Sequence, residues 1–237
     1  KKIKQIYLKK GLAPTIKKTR YLDKNINKLI GIYDIEDRLL NNIEENNFLN
    51  KVKKFVKKNN LLIISDYGHG LFTPKISKYI SNLKIFKSAT IQLNSSNIFT
   101  QDIHKFNNLD LLVINENELR LFIKDKNSQL SVLTRNLCNE LNIKNLVVTR
   151  GESGCYFYNK LKRLEISCPA FASNSIDKVG AGDTLLSFLT IFLYLKIDYH
   201  FSLFFASYLA SKNINNYANS YEFKVNNIFK EIAHYIK

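Results

Sequence analysis

The chain has no methionine, three prolines, three cysteines and eight glycines in 237 residues. With no methionine at its start, residue 1 is not expected to be a natural beginning, and sequence is expected upstream. Cys138, Cys155 and Cys168 form no CxxC pair. That spacing suits neither a zinc site nor a disulfide framework, so a reducing, cytoplasmic setting is the simplest expectation. No secretory signal opens the chain, because residues 1–20 are basic but lack an apolar segment. The longest apolar run, Thr184–Leu195, falls short of the ~20 residues that span a bilayer. Lys196, Asp198 and His200 follow it, and a second apolar stretch, Phe201–Ala210, comes next. Two buried core helices account for this better than a membrane hairpin.

What is abundant is Lys, Asn, Ile, Phe and Tyr. With scarce Gly and Pro, this is the signature of A/T-rich codon bias. The net charge of +16 raises a nucleic-acid reading. The lysines, however, are scattered over the whole chain, and no helix-turn-helix, zinc or RNA-binding motif accompanies them, so no nucleic-acid partner is expected. Hydrophobic residues make up 45% and charged residues 24%, enough to build a large core.

Short apolar runs alternate with helix-period segments. Ile16–Leu22 and Leu29–Tyr33 read as strands, residues 36–58 as an amphipathic helix, and Leu61–Ser65 as a strand buried on both faces. Pro74–Leu83 reads as a helix, Ala89–Leu93 and Asp110–Ile114 as strands, Asn115–Ile123 and Ser128–Leu141 as helices. Asn145–Thr149 reads as a strand, and Cys155–Tyr158 with Leu161–Ser167 as a hairpin. Asp183–Leu195, Phe201–Asn213 and Val225–Ile236 close the chain as helices. The alternation predicts an α/β fold with a mostly parallel sheet. In such sheets ligands sit beyond the carboxyl ends of the strands.

The most specific segment is Asp177-Lys178-Val179-Gly180-Ala181-Gly182-Asp183-Thr184, placed directly before an apolar helix. A helix start leaves backbone N–H groups unpaired and carries partial positive charge. Gly180 and Gly182 let an anion approach those amides. A carboxylate beside a phosphate repels it, so Asp183 makes chemical sense there as a base toward an attacking hydroxyl. The segment alone reads equally well as a glycine turn with Asp183 capping the helix.

The DxxGAGD pattern followed by an apolar helix resembles the second signature of the PfkB, or ribokinase-like, carbohydrate kinases. The resemblance implies that Asp183 is the catalytic base and that Gly180, Ala181 and Gly182 form the anion hole. Asp177 then corresponds to an aspartate that helps site a monovalent cation such as K⁺, although Lys178 replaces the usual Ser or Thr. Asn115-Glu116-Asn117-Glu118 resembles the family's NxxE motif, which implies a hydrated Mg²⁺ near Asn115 and Glu118; alone, it reads as a capped helix start. Thr149-Arg150-Gly151-Glu152-Ser153-Gly154 resembles the TxGxxG segment that lines the nucleotide site, implicating Thr149, Gly151 and Gly154; alone, it reads as a hairpin entry.

Ser65-Asp66-Tyr67-Gly68-His69-Gly70 resembles the SDYGKG segment of the heptose-phosphate kinase branch, with His69 in place of Lys. Gln92 and Asn94 resemble a QxN segment of such kinases fused to a nucleotidyltransferase domain. Asp66, Gln92 and Asn94 are thereby candidates for binding the sugar.

The resemblance implies a three-layer sandwich with a mostly parallel central sheet, in which residues 1–33 are the remnant of a β lid and 34–237 the kinase core. It also implies phosphoryl transfer from ATP to a sugar or sugar-phosphate hydroxyl, heptose 7-phosphate being the first guess. A homodimer through the lid and a fused or partner nucleotidyltransferase domain are the implied associations. The family's first sheet strands, a sugar-holding aspartate and much of the lid have no counterpart here, so residues 1–237 alone are expected to bind ATP weakly and turn over sugar poorly or not at all. A degenerate kinase domain serving as a nucleotide-binding, regulatory module is the second reading. Lys178, His69 and the missing upstream part favour it, and the intact GAGD argues against it.

Overall fold

The computed structural model describes residues 3–24, 28–93, 97–98, 100–171, 180–214, 221–224, 226–228 and 230. Two sheets are present among them. Strands β1 (Lys17–Leu22) and β2 (Lys28–Asp34) pair antiparallel as a two-stranded ribbon. The second sheet has six strands: β3 (Leu61–Asp66), β4 (Phe86–Ile91), β5 (Leu111–Asn115), β6 (Asn145–Thr149), β7 (Cys155–Asn159) and β8 (Leu164–Cys168). They lie side by side in chain order. β3 to β6 are parallel, and β7 and β8 add an antiparallel hairpin at one edge.

The helices that accompany the strands among the described residues include α1 (Asn42–Val56), α2 (Pro74–Ser81), α3 (Glu116–Ile123), α4 (Leu130–Glu140), α5 (Ala181–Tyr194) and α6 (Tyr199–Ile214). The pleat sends alternate side chains of each strand to opposite faces. Leu112, Ile114, Leu146 and Val148 pack on one face with Ile76 and Ile80 of α2, Leu119 of α3 and Leu137 of α4. Their strand neighbours Leu111, Val113 and Val147 pack on the other with Leu185, Leu186 and Leu189 of α5 and Leu203 and Ala206 of α6. The result is a three-layer α/β sandwich. Both apolar segments after residue 183 are core helices, and among the described residues no helix is long and apolar enough to cross a membrane.

Several boundaries depart from the sequence reading by a few residues, and two of them have a clear cause. The first helix begins at Asn42 rather than residue 36, because the Asn41 side chain accepts from the Ile43 and Glu44 amides while Glu44 returns a bond to the Asn41 amide. That capping box fixes the start. β4 runs from Phe86 instead of Ala89. Its polar start is buried because the Lys87 ammonium donates to the carbonyls of Ser81 and Leu83 at 2.7 and 2.9 Å. The helix expected over 225–236 lies mostly outside the described residues.

Candidate active site

The four parallel strands all end at one edge of the sheet, so the loops after Asp66, Ile91, Asn115 and Thr149 share a rim. The start of α5 meets that rim. Gly180 occupies its N-cap with φ 85°, a left-handed conformation natural to glycine, and accepts the Thr184 amide at 2.9 Å. Lacking a side chain, Gly180 puts no cap on the other amides of the first turn. A Cβ built on Gly182 would meet nothing within 4 Å. Asp183 is exposed and opens, with Gly180, Thr184, Ser187, Tyr221 and Phe223, onto a cavity of about 390 Å³. Gly180 and the Asp183 carboxylate therefore border open space, which an anion can enter.

Tyr67, in the loop after β3, donates its hydroxyl to Asp183 Oδ2 at 3.3 Å. Burial, then the Asp183 charge and the hydrogen bond, hold the Tyr67 phenol above its ordinary range. The same residue lines a second, larger cavity of about 570 Å³, together with Lys9, Lys10, Ile16, Asp66 and His69. Asp183 thus lines the smaller cavity and touches, through Tyr67, a residue that lines the larger one. Sequence reading quoted Tyr67 within its motif without giving it a role. Its partner is 116 residues away, and no local pattern announces such a contact.

Asp66 is 3% exposed and engaged internally. Its Oδ1 accepts the Gly68 amide at 2.9 Å, and its Oδ2 pairs with the Lys105 ammonium at 2.8 Å. The carboxylate shapes the loop that borders the large cavity. In the same loop His69 Nδ1 pairs with Asp37 at 2.7 Å. Gln92 continues from β4 on the same rim; its backbone amide donates to the Asp66 carbonyl at 2.9 Å, and its backbone carbonyl accepts from the side chains of Asn97 and Gln101. Asn94 and Asp177 lie outside the described residues.

Asn115 ends β5 and caps α3. Its side chain accepts the Glu118 amide at 2.8 Å, and Glu118 Oε2 accepts the Asn115 amide at 3.2 Å. Glu118 Oε1 also takes the Leu93 amide, tying the β4 loop to α3. Burial pushes the Glu118 carboxyl above the usual carboxylate range, and those amides oppose the shift. Each carboxylate oxygen keeps lone pairs beyond its one bond, so Asn115 and Glu118 together fit the water shell of a hard cation better than a direct cage. Among the described residues, no group of three or more His, Cys, Asp or Glu is arranged to hold a metal ion.

Thr149 ends β6 beside Asn115, its register partner on β5. The turn that follows contains two glycines with different reasons to be glycine. Gly151 has φ 57°, and a Cβ there would meet nothing within 4 Å. Gly154 has φ 78°, and a Cβ there would sit 2.0 Å from the Cys168 carbonyl oxygen. Gly151 leaves room for a ligand, whereas Gly154 closes the turn onto β8. Arg150, just before Gly151, reaches Glu116 Oε2 at 2.8 Å, and Arg120 holds the other oxygen. Burial raises the Glu116 carboxyl, but the two guanidinium groups outweigh it and hold the group below its usual range. The loop after β6 is thereby clamped to the start of α3, a link that sequence reading missed.

The model of the pfkB family carbohydrate kinases matches residues 2–222. The chain belongs to the pfkB family of carbohydrate kinases. Among curated relatives, the bifunctional protein HldE of Nitratiruptor sp. is 27% identical over 192 residues, covering 78% of this chain and 38% of that protein. HldE of Campylobacter curvus is 32% identical over 157 residues, covering 65% and 32%. An uncharacterized sugar kinase of Buchnera aphidicola is 28% identical over 153 residues, covering 64% and 47%. The chain thus spans less than half the length of these relatives. Among solved structures, a ribokinase from Thermotoga maritima superposes with a TM-score of 0.69 at 16% identity, over 93% of this chain and 70% of that one. Phosphofructokinase-2 from Escherichia coli, in complex with potassium, gives 0.67 at 17%, over 88% and 67%. These show that the fold is ribokinase-like.

Within this pfkB fold, the described motif residues converge on one edge of the sheet. The GAGD segment, the loop after β3, the capped start of α3 and the clamped turn after β6 all come from different parts of the chain. The transferable group of a kinase is anionic, and the feature here that suits an anion is the glycine-lined start of α5.

Proposed function

We propose that this pfkB-family protein transfers the γ-phosphoryl group of ATP to a hydroxyl of a sugar or sugar phosphate, with heptose 7-phosphate as the first candidate acceptor. One observation carries the reading: an exposed carboxylate, Asp183, stands on a cavity at a glycine-lined helix start and is hydrogen-bonded to Tyr67, which lines a second cavity. Asp183 takes the proton of the acceptor hydroxyl. The acceptor oxygen then forms a bond to the γ-phosphorus as the bond to the bridging oxygen breaks and ADP departs. The amides of Gly180, Ala181 and Gly182 stabilise the charge that spreads over the transferring group.

In this reading the cavity beside Tyr221 and Phe223 takes the nucleotide, with Thr149 and Gly151 bordering its phosphates and Gly154 setting the turn. Asn115 and Glu118 would hold Mg²⁺ through its water shell, where it would offset phosphate charge. Asp177 would help site K⁺. The cavity bordered by Asp66 takes the sugar, with Gln92 and Asn94 at its rim. The ribbon β1–β2, within residues 1–33, serves as a lid on the core of 34–237, and its exposed Ile30 and Ile32 suit pairing with a second copy. HldE relatives are named bifunctional and extend well beyond the matched region, which supports a second activity beside this one; a nucleotidyltransferase unit, fused or as a partner, is the candidate for it. A cytoplasmic setting fits the three free cysteines.

The test is ADP formation from ATP and Mg²⁺ with a panel of sugars and sugar phosphates. Acceptor-dependent ADP release, slow in the 237-residue chain and strongest with heptose 7-phosphate, is expected. ATP binding without release for any acceptor would favour a nucleotide-binding module instead.

A further inference from the structure

The loop between β3 and α2 is braced more heavily than a surface loop needs to be. Asp66 draws in the Gly68 amide and is itself anchored by Lys105. Asn97 donates to the Tyr67 carbonyl at 3.0 Å. Gly68 has φ 74°, and a Cβ there would press on the Asn97 amide at 2.7 Å. The backbone on both sides of Tyr67 is therefore fixed. The fixed loop aims an aromatic ring outward, with Tyr67 still 40% exposed.

That ring meets groups from two other parts of the fold. Lys18, on strand β1, holds its ammonium 5.7 Å from the ring centroid. The hydroxyl donates to Asp183 Oδ2 at 3.3 Å, near the long end of the hydrogen-bond range. A carboxylate on an exposed side chain turns freely about its last torsion. A donor fixed at one oxygen sets the plane of the group and leaves Oδ1 turned elsewhere with its lone pairs available.

We infer that Tyr67 is a positioning residue for Asp183, orienting the carboxylate so that Oδ1 receives the acceptor proton, and that Lys18 links this arrangement to the β1–β2 ribbon. The inference rests on the kinase reading of Asp183. Its physical content is that a base contributes through alignment as well as basicity.

Two measurements on the 237-residue chain test it. Tyr67→Phe keeps the ring and its Lys18 contact and removes only the hydroxyl. With ATP and heptose 7-phosphate, kcat is expected to fall about tenfold, while both KM values stay within about twofold. An unchanged kcat overturns the inference, as does a loss confined to KM or to the thermal midpoint. The second measurement needs no turnover. In a chain labelled with ¹³C at the tyrosine Cζ, one resonance, identified by its loss in Tyr67→Phe, is expected to shift in Asp183→Asn. An unmoved resonance means that the contact is not made in solution and overturns the inference alone. If the resonance shifts but the wild-type chain phosphorylates no acceptor, the contact stands, and the kinase reading falls together with the positioning role.

Discussion

Asn115 and Glu118 bond to each other twice, the side chain of each accepting the backbone amide of the other at 2.8 and 3.2 Å. The ring they form ends β5, starts α3 and, through the Leu93 amide, holds the loop after β4. A motif that reads as a cation site is thus also a structural joint. Asn115→Ala is expected to lower stability in urea unfolding by about 1 kcal/mol, the usual value of a lost cap. Asn115→Ser should recover most of that loss. An alanine variant as stable as the wild type would show that the ring contributes nothing to folding.

The site glycines separate into two kinds, and substitution distinguishes them. Gly154→Ala forces a Cβ onto the Cys168 carbonyl oxygen and into a left-handed conformation. It is expected to cost about 2 kcal/mol or more. Gly182→Ala places its Cβ in open space within the first turn of α5. That variant should unfold about 0.5–1 kcal/mol later than the wild type, since alanine favours helix over glycine. It should nevertheless transfer phosphate more slowly, because the methyl stands where the anion approaches. Equal transfer rates for Gly182→Ala and wild type would contradict an anion site there.

Glu44 is held by both nitrogens of the Arg38 fork at 2.7 Å and by the Asn41 amide. The Arg38 bonds, followed by the Asn41 amide, bring its pKa down to about 2 from an ordinary 4.5. A depressed carboxyl contributes stability that is present above its unfolded value and lost as pH falls through its folded one. Thermal midpoints should therefore decline as pH drops from about 4.5 toward 2, and Glu44→Gln should flatten that part of the curve. A wild-type profile that matches the variant across this window would refute the assignment.

Local signals made much of this molecule legible. Asn145–Thr149 is a strand over the span its apolar run predicts, since a strand buried on both faces advertises itself. The GAGD, NxxE and TxGxxG segments each declared a helix start or turn through residues that act within a few positions. Relationships across the chain stayed hidden. Cys155 and Cys168, read as widely spaced, are direct partners on adjacent strands, because the hairpin folds one onto the other. Nothing local marks Lys87, whose ammonium is buried against two carbonyls. The Glu116–Arg150 clamp and the Tyr67–Asp183 bond join segments whose meeting depends on the sheet order. Such contacts come from topology and leave no period in the sequence.

The central claim is that Asp183 is the base. Asp183→Asn keeps the size and shape of the side chain and removes its ability to accept a proton. Measured with ATP, Mg²⁺ and the best acceptor, its kcat is expected to fall by about two orders of magnitude or more, with the dissociation constant for ATP within about twofold of wild type. A kcat close to wild type would contradict the claim.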